Sequence, residues 1–218
     1  MAPVKSKILL PGIFVLVFAL SRIPGLMPSN FSVAYALCFC SGVFFRGRHG
    51  WWLPLVVILA TDIGLNFYYQ HGSPGQNVWS TANLLNLLFN YVAYAVLIFI
   101  GRGFHAKSRL INLVGGGILG AIVFYFLTNT AAWLFNPYHN PEYTKTFAGW
   151  LIALTKGTAG YPPTWEFFRS TLLSGGLFTL LFGAAGKIAA ESPADKTAGV
   201  RDPEAKEEPE AEPEEAKA

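Results

Sequence analysis

Residues 110–135 decide the fold: they read LINLVGGGILGAIVFYFLTNTAAWLF and contain no charged side chain. The hydrocarbon core of a bilayer is about 30 Å thick, and a helix needs roughly 20 residues to cross it. This stretch is long enough to do so. It therefore predicts a membrane-spanning helix and argues against a chain that is soluble throughout.

Five other apolar runs accompany it, at residues 8–20, 33–45, 51–69, 84–100 and 165–190. The first two are short for a full span, but membrane helices tolerate the Gly, Ser and Pro residues that flank them. We predict an all-α membrane protein, a six-transmembrane-helix bundle over residues 1–190, with five helices as the alternative count. Because Lys5 and Lys7 precede the first run, a secretory signal peptide is an alternative for residues 1–21.

Charge is scarce and unevenly spread along the chain. Charged residues form 13% of it, against about 25% in soluble domains. Residues 1–190 carry twelve Lys and Arg but only three acids, whereas residues 191–218 carry ten acids and four bases. We predict a disordered acidic cytoplasmic tail at 191–218, since it has too few apolar residues to bury a core. The dispersed basic residues argue against a nucleic-acid partner.

The basic residues also predict the topology, because Lys and Arg favour cytoplasmic loops. With six spans, eight of them fall before span 1 or after spans 2, 4 and 6, and three fall on the other side. The eight are Lys5, Lys7, Arg46, Arg48, Arg102, Lys107, Arg109 and Lys187; the three are Arg22, Lys145 and Lys156. We therefore predict that both termini are cytoplasmic.

Polar side chains within a membrane point to function, because each is costly to insert. In this topology they all fall toward the outer ends of their spans, above apolar inner halves. We predict a pocket that opens outward and holds a neutral or mildly charged heterocycle by stacking and hydrogen bonds. The candidate substrate-binding residues are Asp62, Asn66, Asn86, Asn90, Asn129, Trp133 and Arg169.

Each candidate also has a structural alternative. Asp62 can pair with Arg22 or Arg169, the asparagines can bridge helices, and tryptophans commonly lie at the membrane surface. Close helix packing is predicted for Gly115, Gly116, Gly117, Gly120, Gly175, Gly176 and Gly183. We expect neither a cofactor nor a metal, since the four histidines fall in predicted loops and no GxxxxGK[ST] motif occurs.

The segment 136–164 is a long connection on the predicted outer side. Within it, Phe147–Leu154 is apolar but too short to span a bilayer. We predict an interfacial or re-entrant helix that covers the pocket as a lid, with a plain membrane-surface segment as the alternative.

Two signatures in the chain resemble a known family. The first comprises Ser21-Arg22-Ile23-Pro24, Pro28-Ser29-Asn30-Phe31-Ser32 and Asp62, and the second comprises Asn129-Thr130, Trp133 and the stretch Tyr143–Gly149. Over most of residues 20–183 they resemble a bacterial family of integral-membrane transport proteins, which is in turn similar to the substrate-binding (S) components of energy-coupling-factor vitamin transporters. The resemblance implies a bundle in the bacterial inner membrane that captures a vitamin or other micronutrient and docks on a separate ATPase module. Such subunits commonly dock through an Ala-x-x-x-Ala stripe that residues 8–20 lack, so operation without the module stays open.

We therefore expect a transport protein and not an enzyme. An intramembrane serine nucleophile, Ser170 or Ser174, would need a histidine base, and no predicted span contains one. The alternative from another class is a structural or assembly membrane protein that acts through helix packing and its tail.

Overall fold

Helices form all the regular structure of the described residues. The computed structural model describes residues 4–45, 47–72 and 77–190, so the predicted tail at 191–218 and Arg46 lie outside them. The helices are α1 (Val4–Ser21), α2 (Ala34–Phe44), α3 (His49–Gly72), α4 (Thr81–Arg102), α5 (Leu110–Phe135), α6 (Phe147–Thr155) and α7 (Thr164–Ala190). These seven helices, without a strand in the described ranges, confirm the all-α prediction.

Four helices, α3, α4, α5 and α7, are long and apolar enough to cross a bilayer. They contain between 22 and 27 residues, and a span needs about 17–25. The chain is therefore a helical protein of the membrane type. The count of six spans and the cytoplasmic termini stay predictions, because α1 and α2 are shorter apolar helices.

Helices α1 to α5 alternate in direction, and α7 runs opposite to α5, so these six helices give the bundle two ends. At the basic end α2 meets α3 and α4 meets α5, and the Lys187 ammonium of α7 donates to the Ser108 carbonyl at 2.9 Å. At the polar end α1 meets α2, α3 meets α4 and α5 meets α7, and the Tyr138 hydroxyl donates to the Asn83 amide oxygen at 2.7 Å.

Glycines bring the helices close together below the polar end. A Cβ on Gly101 of α4 would lie 2.1 Å from the Phe39 carbonyl oxygen of α2, and one on Gly117 of α5 would lie 2.1 Å from Thr179 Oγ1 of α7. No larger residue fits at either contact. The packing prediction is confirmed for Gly116, Gly117, Gly175 and Gly183, whereas an added Cβ would make only ordinary contact at Gly120 and Gly176 and would meet open space at Gly115.

Helix α1 is built into the core of the bundle. Phe14 and Phe18 are fully buried, and the Phe14 ring stacks on Phe182 of α7 with 4.0 Å between ring centroids. Removing residues 1–21 would open this core. In this structure α1 is therefore one of the core helices of the bundle.

Helix α2 is unlike the span expected at 33–45. Its 11 residues measure about 16 Å along the axis, half of a 30 Å hydrocarbon core. Nine of the eleven are buried, so α2 is the central helix of the bundle. Its Gly42 lies against the second half of α4, near Ile98 and Gly101. The first half of α4 consequently has no α2 backbone beside it, and this gap makes room for the site described next.

Candidate functional site

A cavity of about 500 Å³ opens at the polar end, above α2. Helices α1 to α5 and α7, together with the connection 22–33, all contribute side chains to its lining. Its volume falls within the range of about 300–1,000 Å³ that is typical of small-molecule sites. A second groove of about 430 Å³ adjoins it along α4.

Four of the seven predicted residues line this cavity. They are Asp62 from α3, Asn86 and Asn90 from α4, and Asn129 from α5. Residues one turn apart share a helix face, and the polar ends of the three helices coincide. Together these two regularities bring the four side chains to one place.

Asn66 and Trp133 are placed differently. Asn66 lines the adjoining groove, which Asn86 and Asn90 also border. The Trp133 indole nitrogen donates to the Thr144 carbonyl at 2.7 Å, so it holds the connection after α5 instead of reaching the cavity lining. This connection doubles back on the last turn of α5, which the spacing within the helix does not reveal.

Arg169 also lies away from the cavity. Helix α7 lines it with Thr164, Phe167 and Thr171, a spacing of three and four that defines one face. Arg169 falls two residues from Phe167 and from Thr171, on the opposite side of the helix. It is exposed there, with its guanidinium 6.0 Å from the Trp165 ring.

An ion pair crosses one wall of the cavity. The Arg22 guanidinium at the end of α1 donates to Asp62 of α3, and the Tyr91 hydroxyl of α4 donates to the other Asp62 oxygen at 3.1 Å. The side chains of Arg22 and Asp62 are 26% and 13% exposed. Of the two partners considered for Asp62, the structure selects Arg22. The pair leaves this wall without net charge and ties three helices together.

Aromatic rings form the floor of the cavity, a feature that the sequence does not predict. Tyr35 at the start of α2 and Tyr94 of α4 both pack on Phe124 of α5, with centroid distances of 4.8 and 5.1 Å. All three are buried and line the cavity. Of the three, only Tyr94 could be expected at the site from the sequence, because it lies one turn beyond Asn90 on the same helix. Tyr35 and Phe124 stand in apolar runs where an aromatic residue looks like ordinary core.

The connection 22–33 supplies the remaining wall as irregular backbone. Gly25 (φ 80°) and Asn30 (φ 57°) adopt left-handed conformations, which are easy for glycine and tolerated by asparagine. Ser32 Oγ accepts from the Ala34 amide at 3.1 Å where α2 begins. Irregular backbone at membrane depth is tolerated where it lines a polar cavity or is buried in protein. This connection therefore forms one wall of the cavity.

The asparagines divide into bonded and unbonded side chains. Asn83 donates to the Asn77 carbonyl at 2.9 Å, and Asn129 donates to the Tyr125 carbonyl within its own helix at 2.8 Å. Within the described residues, the carboxamides of Asn86 and Asn90 make no hydrogen bond to protein, although both line the cavity. Bridging between helices thus does not account for them.

Helix α6 confirms the apolar helix predicted at 147–154 but not the lid. The Trp150 indole nitrogen donates to Thr130 Oγ1 of α5 at 3.0 Å, and the Tyr125 hydroxyl donates to the Leu154 carbonyl. These bonds fix α6 to the flank of α5. No α6 residue belongs to the cavity lining.

The histidine placement needs one correction. All four histidines were predicted in loops, but His49 lies in the first turn of α3 and His71 in its last turn. In the described ranges no group of three or more His, Cys, Asp or Glu side chains is arranged to hold a metal ion.

Comparison with known proteins places the chain by family. Neither a curated protein nor a solved structure matches it. The model of a family of unknown function, DUF6580, matches residues 3–195, which include all the described helices. The chain therefore belongs to the DUF6580 family.

Proposed function

We propose that the chain is a membrane transport protein that captures a small molecule, such as a vitamin or other micronutrient, in the cavity at its polar end. One observation carries the proposal. Amide side chains from two helices, two of them without a hydrogen-bond partner among the described residues, converge on a cavity of about 500 Å³ in the polar half of a membrane-type bundle. Polar groups in such a position are costly, so a ligand that uses them explains their presence.

The lining indicates the kind of ligand. The charges of Arg22 and Asp62 neutralise each other, so a strongly charged molecule would find no free counter-ion there. Tyr35, Tyr94 and Phe124 give the lining an aromatic surface on which a ring can pack, and Asn86 and Asn90 offer donors and acceptors. A neutral or mildly charged planar molecule fits both features.

The floor of the cavity supports capture in preference to conduction. Beneath Tyr35 the next turns of α2 present Leu37, Cys38 and Phe39, all at most 1% exposed. An ion pathway would need polar groups at several depths. We therefore propose that the chain binds its substrate and releases it inward only after a rearrangement, as a substrate-binding subunit of a larger transporter would, with an ATPase module as partner. The proposal assigns it no catalytic step.

Sidedness is part of the proposal. The polar end faces the outside and the basic end faces the cytoplasm of a bacterial inner membrane, because Arg48, Arg102, Lys107 and Arg109 gather at the basic end.

The alternative function, an assembly protein, would need glycine faces that are open to partner proteins. Gly101, Gly117 and Gly175 meet other helices of the same chain at distances below 3 Å for an added Cβ. Apart from Gly115, which faces open space, the predicted glycine faces are thus turned toward other helices of the bundle.

The test is ligand retention by purified variants. Native mass spectrometry of the detergent-purified protein identifies a co-purifying small molecule, and the experiment is repeated on Asn90→Ala and Asn129→Ala. We expect at least a tenfold loss of bound ligand in both. The matched control is Asn112→Ala, an exposed asparagine near the start of α5 at the basic end. Equal ligand occupancy in all four proteins would contradict the proposal.

A further inference from the structure

A second polar surface adjoins the cavity and shares one face of α4 with it. The groove of about 430 Å³ along α3 and α4 is lined by Asn66, Asn77, Val78, Asn83, Leu84, Asn86, Leu87 and Asn90. Five of these eight residues are asparagines, and the groove lining contains no charged side chain. Asn86, Leu87 and Asn90 border the cavity as well, so the two spaces meet along one face of α4.

The rim of the groove is fixed by a set of local bonds. Ser80 Oγ accepts from the backbone N–H of Asn83 at 3.3 Å at the start of α4. The Gln70 side-chain oxygen of α3 accepts from the backbone N–H of Val78 at 3.3 Å. The Tyr138 hydroxyl donates to Asn83 Oδ1 at 2.7 Å. Partial burial, with Tyr161 nearby, raises the pKa of Tyr138, so this phenol remains a donor at neutral pH. The rim is therefore ordered before any ligand arrives.

Three carboxamides in the groove remain available. Unlike Asn83, the side chains of Asn66, Asn86 and Asn90 have no hydrogen-bond partner in the described part of the chain. Each carboxamide presents two N–H donors and one oxygen acceptor in a plane. Hydroxyl groups, which both donate and accept, satisfy such a set, whereas a carboxylate or an ammonium group satisfies only half of it.

We propose that the groove is a second subsite that binds the neutral, hydroxyl-rich part of the substrate while its planar part lies on the aromatic floor of the cavity. This inference rests on the proposed function, since it divides one ligand between two adjoining spaces. The substrate class is then a planar aromatic molecule bearing a sugar-like substituent. The sugar of a glycolipid headgroup offers the same chemistry, and the experiment separates the two sources.

The experiment uses the protein in phosphatidylcholine nanodiscs and two matched probes, 4-nitrophenyl β-glucopyranoside and 4-nitrophenol. We expect the glucoside to bind at least tenfold more tightly than the phenol. In Asn66→Leu, which changes only the groove, this preference should fall to within about twofold, and in Asn112→Leu it should stay unchanged. Asn129→Leu, which changes only the cavity, should weaken both probes.

Three results would overturn the inference. One is equal binding of the two probes, or of neither, by the unmodified protein. Another is a glucoside preference that survives both Asn66→Leu and Asn83→Leu. The third is retention of a glucosyl lipid included in the nanodiscs by a protein that does not bind the soluble glucoside, which assigns the groove to headgroups. If the groove variants have no effect but Asn129→Leu still weakens both probes, the second subsite fails while the proposed function stands.

Discussion

The two ends of the bundle use their helices in opposite ways. At the basic end and through the middle, α2 lies against α4 so closely that a Cβ on Gly101 would be 2.1 Å from a backbone oxygen. Helix α2 does not extend to the polar end, and the space above it is lined by Asp62, Asn86, Asn90 and Asn129. The difference follows from the length of one helix: 11 residues reach only halfway.

This comparison teaches that the site and the core depend on each other. The buried α2 carries Tyr35 at its first turn, so the top of the packed half is the floor of the cavity. A change in the packed half should therefore affect folding most, and a change in the lining that leaves the Arg22–Asp62 pair intact should affect ligand binding with little effect on folding. The following variants test this division.

Phe14→Ala should have the largest effect, because it empties a fully buried position that stacks on Phe182. Truncating a buried phenylalanine costs about 3–5 kcal/mol of unfolding free energy. Leu16→Ala, at a side chain that is 60% exposed, is the matched control and should change little. Thermal denaturation in detergent measures both. Equal stability of the two variants would mean that α1 is not part of the core.

Gly101→Ala should come next. The added methyl group would collide with the Phe39 carbonyl, and overpacking of this kind typically costs about 1–3 kcal/mol. Gly115→Ala meets open space and should be neutral or slightly stabilising, because alanine favours helix. The difference in melting temperature between the two variants is the readout. The opposite order of stabilities would refute the close α2–α4 contact.

The Arg22–Asp62 pair should show a smaller and non-additive effect. Asp62→Asn leaves a partly buried guanidinium without its counter-ion, at a cost of about 1–2 kcal/mol for a pair that still touches the cavity. The double variant Arg22→Met with Asp62→Asn removes both charges and should recover part of that loss. A double-mutant cycle by thermal denaturation measures the coupling. Strictly additive losses would show that the pair is not coupled.

Trp133→Phe and Arg169→Ala should have the smallest effects. Trp133→Phe loses one hydrogen bond, to Thr144, worth about 1 kcal/mol, and Arg169 is exposed on the far face of α7. Neither should change ligand occupancy in native mass spectra. A loss as large as that of Asn90→Ala would return these two residues to the binding site.

Much of this arrangement could be read from the sequence. Length and hydropathy gave the four long helices, and periods of three and four placed Asn86 and Asn90 on one face. The position of polar residues near span ends brought Asp62 and Asn129 to the same level. The glycine runs likewise predicted close packing, since a small side chain in a membrane helix has little other use.

The rest depended on tertiary structure. An apolar run reads alike whether it faces lipid or protein, so the burial and half length of α2 were hidden, and with them the role of Tyr35. Arg169 was predicted near the cavity from its depth along α7. In the structure its position around the helix axis puts it on the face opposite the cavity. Trp133 bonds to the connection that folds back on α5 and therefore does not reach the cavity. The spacing of residues within the helix could not predict this contact.

The central claim is that a polar cavity opens outward above an apolar floor, and thiol labelling tests it most directly. The native Cys38 and Cys40 are fully buried, so Asn90→Cys and Asn112→Cys can be compared in intact cells with a small membrane-impermeant thiol reagent. We predict that Asn90→Cys is labelled from outside, and Asn112→Cys only after the cells are permeabilised. Labelling of Asn112→Cys in intact cells, with Asn90→Cys unreactive, would contradict the claim.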